Sequence, residues 1–188
     1  VSVSSDGNIV AVGAPTNSEN GDRSGMVRIH KNLGGVWTQI GDDINGAAAL
    51  DVFGKSVSLS MDGSILAVGA NPIADIDPSP AYVRIYQNID GAWSQIGSDI
   101  NGDSEDDQFG YSLSLSSDGN IVAVGARSND ANGLLSGHVR IYENLNGIWT
   151  QIGSDIDGEN QFDQSGYSVS LSSDGSIVAI GAPGNSAN

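Results

Sequence analysis

The chain has 188 residues, enough for one ordinary domain, with 26 glycines and a hydrophobic share of 38%. Its 23 acidic residues against 7 basic ones leave a formal charge of -16, a surface that repels nucleic acid and anionic membranes, because phosphate binding needs clustered Lys and Arg. No apolar run is long enough for a membrane span, and the absence of cysteine excludes disulfides, thiolate metal sites and cysteine nucleophiles.

The first element, VSVSSDGNIVAVGA from Val1, recurs as VSLSMDGSILAVGA from Val57, LSLSSDGNIVAVGA from Leu113 and VSLSSDGSIVAIGA from Val169. Asp6, Asp62, Asp118 and Asp174 therefore fall 56 residues apart. Arg28, Arg84 and Arg140 keep the same step, as do Trp37, Trp93 and Trp149. A fixed period of this size, free of insertions, means stacked supersecondary units that cannot bury their own faces alone.

The unit Phe109 to Gln164 shows the elements in order. YSLSLS alternates, with Tyr111, Leu113 and Leu115 on one face and serines on the other, which predicts a first strand. Asp118-Gly119 predicts a hairpin turn, both residues tolerating positive φ. IVAVGA is an almost continuous apolar run, a strand covered on both faces. A polar loop leads to a third strand, HVRIYENL; Asn146-Gly147 is a second hairpin signal. IWTQIGSDI, more mixed in polarity, predicts a fourth strand near an edge. The predicted fold class is all-β: a β-propeller of four-stranded antiparallel blades with a 56-residue repeat. The repeats run 1–52, 53–108, 109–164 and 165–188, about three blades plus one extra hairpin. The chain starts inside a first strand and ends inside a loop, so it reads as a segment of a larger propeller.

Phe53-Gly54 reaching Gly69-Ala70, Phe109-Gly110 reaching Gly125-Ala126, and the literal Gly13-Ala14-Pro15 and Gly181-Ala182-Pro183 carry a resemblance. The chain resembles the FG-GAP repeat family, the blade unit of integrin α-subunit propellers and of many bacterial and algal surface proteins. The resemblance implies a propeller and a cell-surface role that is adhesive, carbohydrate-linked or structural. Many members bind calcium in the turn between the first two strands. Here that turn has shrunk to SSDGN, SMDGS and SSDGS, and one carboxylate per turn cannot supply the six or more oxygens Ca²⁺ needs. The four aspartates are therefore read as turn formers. The acidic run Asp103, Glu105, Asp106, Asp107 has no equally acidic counterpart in the other repeats, so it reads as a solvated loop rather than a metal site. No metal or cofactor site is expected.

Catalysis finds little support. His30 and His138 are single replacements on the third strand, each read as a surface or packing residue. No G-x-S-x-G elbow occurs among the many serines; small side chains suit crowded inner strands. Arg28, Arg84 and Arg140 recur in V-R-I-[HY], and Asp43, Asp99 and Asp155 recur in G-[DS]-D-I. A strand arginine packed between blades needs a counter-charge, so each is expected to pair with an aspartate. Trp37, Trp93 and Trp149 read as packing anchors.

The second-to-third-strand loops (PTNSENGDRSG, NPIADIDPSPA, RSNDANGLLSG) and the loops after the fourth strand keep length and change chemistry. In a propeller both emerge on one face, and variable loops on a rigid scaffold make a binding surface. The candidate ligand face comprises Asn17, Glu19, Asp22, Arg23, Asp75, Asp77, Asp103, Glu105, Asp106, Asp107, Arg127, Asn129 and Asp130. The function expected is a non-enzymatic, extracellular binding or assembly scaffold for a protein or glycan partner. Further blades of the same chain, or self-association through open edges, complete the array. The alternatives are a carbohydrate-binding or carbohydrate-active module and a structural repeat of a surface layer or filament.

Overall fold

The computed structural model describes residues 1–72, 80–104 and 106–186, and every regular element in them is a β-strand. The first sheet holds β1 (Ser2–Val3), β2 (Ile9–Ala14), β3 (Met26–Leu33), β4 (Val36–Gln39) and β5 (Ile44–Asn45). The second holds β6 (Ser56–Leu59), β7 (Ile65–Ala70), β8 (Tyr82–Ile89), β9 (Ala92–Gln95) and β10 (Ile100–Asn101). The third holds β11 (Phe109–Leu115), β12 (Ile121–Ala126), β13 (His138–Leu145), β14 (Ile148–Gln151) and β15 (Ile156–Asp157). A hairpin of β16 (Ser168–Leu171) and β17 (Val178–Gly181) follows. All pairings between strands are antiparallel.

Each full sheet is a four-strand blade whose outermost strand is broken in two. In the third blade, β13 pairs through its second half with β14 and through His138 and Val139 with β15. Gly41, Gly97 and Gly153, all at positive φ, lie in the break. The short turns also differ in detail from the sequence reading. In the Asp-Gly turns only the glycine takes positive φ (71 to 73°), whereas Asn146 and Gly147 both do (57° and 87°).

The aspartate instead acts as an acceptor. Ser116 Oγ donates to Asp118 while accepting the amide of Ile121 at 3.0 Å, and Asn120 N donates to the same carboxylate. The other three turns repeat this arrangement. Hydrogen bonds from Ser4 and Asn8, and from Ser172 and Ser176, hold Asp6 and Asp174 at about 2, against an ordinary 3.8.

The period-2 pattern of the central strands divides the core. On β7, Ile65 and Ala67 pack toward the third blade, while Leu66, Val68 and Ala70 pack toward the first. Each strand is thus buried by two different neighbours. Phe53 and Phe109 are wholly buried and meet Tyr86 and Tyr142 edge-on, at centroid separations of 6.4 and 6.3 Å.

The recurrent glycines bring neighbouring blades into backbone contact. A Cβ on Gly13 would lie 2.1 Å from the carbonyl oxygen of Gly54, and one on Gly125 would lie 2.2 Å from that of Gly166. Serines stitch the same seam: Leu59, Leu115 and Leu171 donate their amides to Ser2, Ser58 and Ser114 of the preceding repeat. The amides of Ser5, Met61 and Ser117 donate to the carbonyls of Met61, Ser117 and Ser173. The inner serines are therefore bonding groups as well as small ones. Val3, Leu59, Leu115 and Leu171 line one cavity of about 220 Å³, which places the four first strands around a common axis. This is the radial arrangement of a β-propeller. Among the described residues no strand pairing joins β17 to the first sheet, and no helix is long and apolar enough to cross a membrane.

Candidate ligand-binding site on the variable-loop face

The loop between the second and third strands lies against the loop that leaves the same blade. Leu50, Val52 and Phe53 donate their amides to the carbonyls of Asp22, Arg23 and Ser24, and Phe162, Gln164 and Ser165 repeat this with Leu134, Leu135 and Ser136. The two variable loops thus form one surface on the face opposite the Asp-Gly turns.

Asp51, Asp107 and Asp163 anchor that surface. Asp51 accepts the amides of Ala47 and Ala48 and the hydroxyl of Tyr82, at 3.0 Å. Asp163 accepts the amide of Asn160 and the side chain of Asn185. Asp107 accepts Asn129 Nδ2 at 2.8 Å, and burial pushes its carboxyl above the ordinary range. Asp107 and Asn129, both assigned from sequence to the ligand face, are only 7% and 6% exposed and are occupied with each other. The acidic-run reading missed that Asp107 recurs at Asp51 and Asp163 in steps of 56.

The three repeat arginines each meet the aspartate fifteen residues on. Arg84 Nε and Nη2 donate to Asp99 at 2.8 and 2.9 Å, and Arg28–Asp43 and Arg140–Asp155 have the same two-pronged form. Arg28 and Arg140 hold Asp43 and Asp155 below the usual carboxylate range; at Asp99, burial pulls the other way, and Arg84 and Gln95 together outweigh it. These pairs lie at the surface, partly exposed, where solvent screens much of their attraction. Arg140 takes a second partner, Asp103, which lies in the loop leaving the second blade.

Three of the four remaining Lys and Arg side chains converge. Arg23, Lys55 and Arg127 line a cavity of about 400 Å³ together with Tyr111, Asn71, Gln108 and Asp106. Arg127 lies 4.0 Å and Lys55 Nζ 5.6 Å from the centroid of the Tyr111 ring, within cation–π range. Tyr167 stands 5.4 Å from Tyr111, and Arg127 Nε donates to Gln108 at 2.7 Å. Among the described residues, none of these three cations has a carboxylate partner. Lys55, Tyr111 and Tyr167 all follow a glycine at the same place in successive repeats. The sequence reading passed over that position because its residue type changes.

Of the other face residues, Asn17 accepts the amide of Glu19, and Asp130 accepts that of Leu135. Glu19 and Asp22 are exposed. Asp75, Asp77 and Glu105 lie outside the described residues. Trp149 donates Nε1 to Ile96 O at 3.1 Å and packs on the core between blades two and three; Trp93 packs likewise between blades one and two. Trp37 is 49% exposed. His138, expected at the surface or in packing, is 1% exposed, and burial followed by Arg140 lowers its pKa below the ordinary 6.5.

The family model described as FG-GAP repeat matches residues 98–142, a span holding Phe109-Gly110, Gly125-Ala126, Asp99 and Arg140. This segment is an FG-GAP repeat. The two glycines of the FG-GAP motif are those that meet across the blade seam. No curated protein matches the chain. Among solved structures, the chain is similar to a Bacteroides uniformis protein assigned as a 6-phosphogluconolactonase (TM-score 0.56, 14% identity, covering 95% of this chain and 41% of that one). It is also similar to Kuenenia stuttgartiensis hydrazine synthase (TM-score 0.56, 14% identity, 95% and 56%). The chain thus spans about half the length of these structures or less, and at this identity the likeness is one of fold.

Proposed function

We propose that this chain is a non-enzymatic, extracellular binding module that takes an anionic sugar chain on its variable-loop face. The observation that carries the reading is the convergence of Arg23, Lys55 and Arg127 around Tyr111 in a protein with a formal charge of -16. A cavity that pairs cations with aromatic rings and side-chain amides suits a carboxylate-bearing saccharide. The carboxylate meets the guanidinium groups, a ring face meets Tyr111 or Tyr167, and Asn71 and Gln108 serve hydroxyls. Among the described residues Asp106 is the one carboxylate in the lining, against three cations.

Titration with polygalacturonate, with neutral dextran as the control, tests this. Binding is expected for the uronate polymer alone, weakened at least tenfold by Arg127→Gln with Lys55→Gln and falling with salt. Equal binding of dextran, or indifference to the double substitution, overturns it.

A second reading, assembly through the open blade faces, rests on the tryptophans. A Cβ on Gly41 would lie 2.8 Å from Trp93 Cδ1, and one on Gly97 would lie 3.2 Å from Trp149 Cδ1, so each tryptophan caps the preceding blade. Trp37, the corresponding residue of the first blade, offers the same group and is half exposed. A further blade or a second copy fits there.

A further inference from the structure

The third blade departs from its siblings at two positions that face each other. The cross-strand pair at the start of the third strand is Met26 with Asn45 in the first blade and Tyr82 with Asn101 in the second. In the third it is His138 with Asp157. Both changes introduce metal-ligand side chains, and Asp155, just ahead of β15, brings a carboxylate close to both.

The imidazole is left without partners. Tyr82 is long enough for its hydroxyl to reach Asp51. His138 is shorter, and the equivalent carboxylate, Asp107, is taken by Asn129. Among the described residues neither Nδ1 nor Nε2 of His138 has a hydrogen-bond partner, although the residue is 1% exposed. Buried polar atoms are rarely left so. His138 Nδ1 lies 3.9 Å from Asp155 Oδ2, and one ligand atom each from His138, Asp155 and Asp157 falls within 4.8 Å of the others. Metal–ligand bonds of about 2.0–2.2 Å bring such atoms to about 3.5 Å apart, so a small inward shift of the exposed Asp157 closes the set.

Charge favours a dication. Asp103, Asp155 and Asp157 surround a single guanidinium, Arg140, which leaves two negative charges at the patch. One imidazole nitrogen with two carboxylates is a donor set of the zinc type, hard calcium sites being built from oxygen alone.

We propose that His138, Asp155 and Asp157 bind one transition-metal dication of the zinc class in the seam between the second and third blades. The ion shares Asp155 with Arg140, and Asp103 offsets the added positive charge. The site is independent of the cation-lined cavity.

The test uses the whole chain freed of metal by a chelator. Calorimetry with Zn²⁺ is expected to show one ion per chain, and Co²⁺ is expected to give visible ligand-field bands. His138→Tyr and Asp157→Asn install the residues that the second blade already carries, so the fold is retained. Each is expected to weaken Zn²⁺ binding at least tenfold and to abolish the Co²⁺ bands, with the chelator-treated melting temperature unchanged. Absence of stoichiometric Zn²⁺ binding overturns the proposal. Binding that survives both substitutions also overturns it, by placing the ion elsewhere on the acidic surface.

Discussion

Strands β7 and β17 are spelled almost alike, yet one is the most enclosed strand of the molecule and the other is open. β7 is buried at each of its six positions, and β17 at none of its four. Ile65, at the start of β7, is 8% exposed; its counterpart Ile177, which just precedes β17, is 68% exposed. The spelling sets the strand and its alternation. The burial comes from the two blades that flank it, and in this chain β17 has one. A repeat of this kind carries half of each interface and draws stability from its neighbours.

The largest break of this contrast is at Phe109, which the fourth repeat replaces with Ser165. Phe109 fills the seam between the second and third blades, wholly buried against Tyr142. Phe109→Ala is expected to cost about 4 kcal/mol, read from urea unfolding. A loss under 1 kcal/mol sinks the idea that this ring anchors the seam.

A smaller and sharper test compares two glycines at one repeat position. A Cβ on Gly69 would lie 2.4 Å from the Gly110 carbonyl, a backbone atom that cannot yield. A Cβ on Gly181 would meet the Ser168 hydroxyl, which can rotate away. Gly69→Ala is expected to destabilise by about 2 kcal/mol or more and Gly181→Ala by less than about 1 kcal/mol. Equal melting shifts in the two variants contradict the account of the seam.

The smallest effect is expected from acid. Asp6 and Asp174, in the first and last turns, titrate at about 2 when folded, against 3.8 when free. A depressed folded pKa gives stability that is complete above the free value and lost as pH falls through the folded one. The contribution of these two turns is therefore flat above about pH 4 and declines from there toward pH 2. NMR titration of the two side chains checks the values, and midpoints near 4 reject the hydrogen-bonded turn.

The blade itself was legible because hydrophobic alternation and Asp-Gly turns are local signals repeated in register. The arginine–aspartate pairs were legible because both partners recur at a constant separation. The broken outer strand was not, since Gly-Ser-Asp within IWTQIGSDI reads as a polar stretch of a continuous strand. The cation-lined cavity was hidden for a different reason. Arg23, Lys55 and Arg127 come from three repeats and occupy three different repeat positions, and only the turning of the blades about their axis brings them together. His138 looked like a stray substitution until its cross-strand partner, Asp157, was known.

The seam also bears on how such a gene can change. Ser58 meets Leu115 fifty-seven residues ahead, and Ser56 meets Gly110 fifty-four ahead, as Ser114 meets Leu171 and Ser112 meets Gly166. Each blade therefore presents its successor with the same groups that its predecessor presented to it. Duplication or loss of one whole 56-residue copy leaves every junction matched, because the new neighbours are interchangeable. Insertion of one residue into an inner strand moves its serines to the other side and unmatches two junctions at once. Heredity can thus lengthen or shorten this protein by the copy while being barred from doing so by the residue.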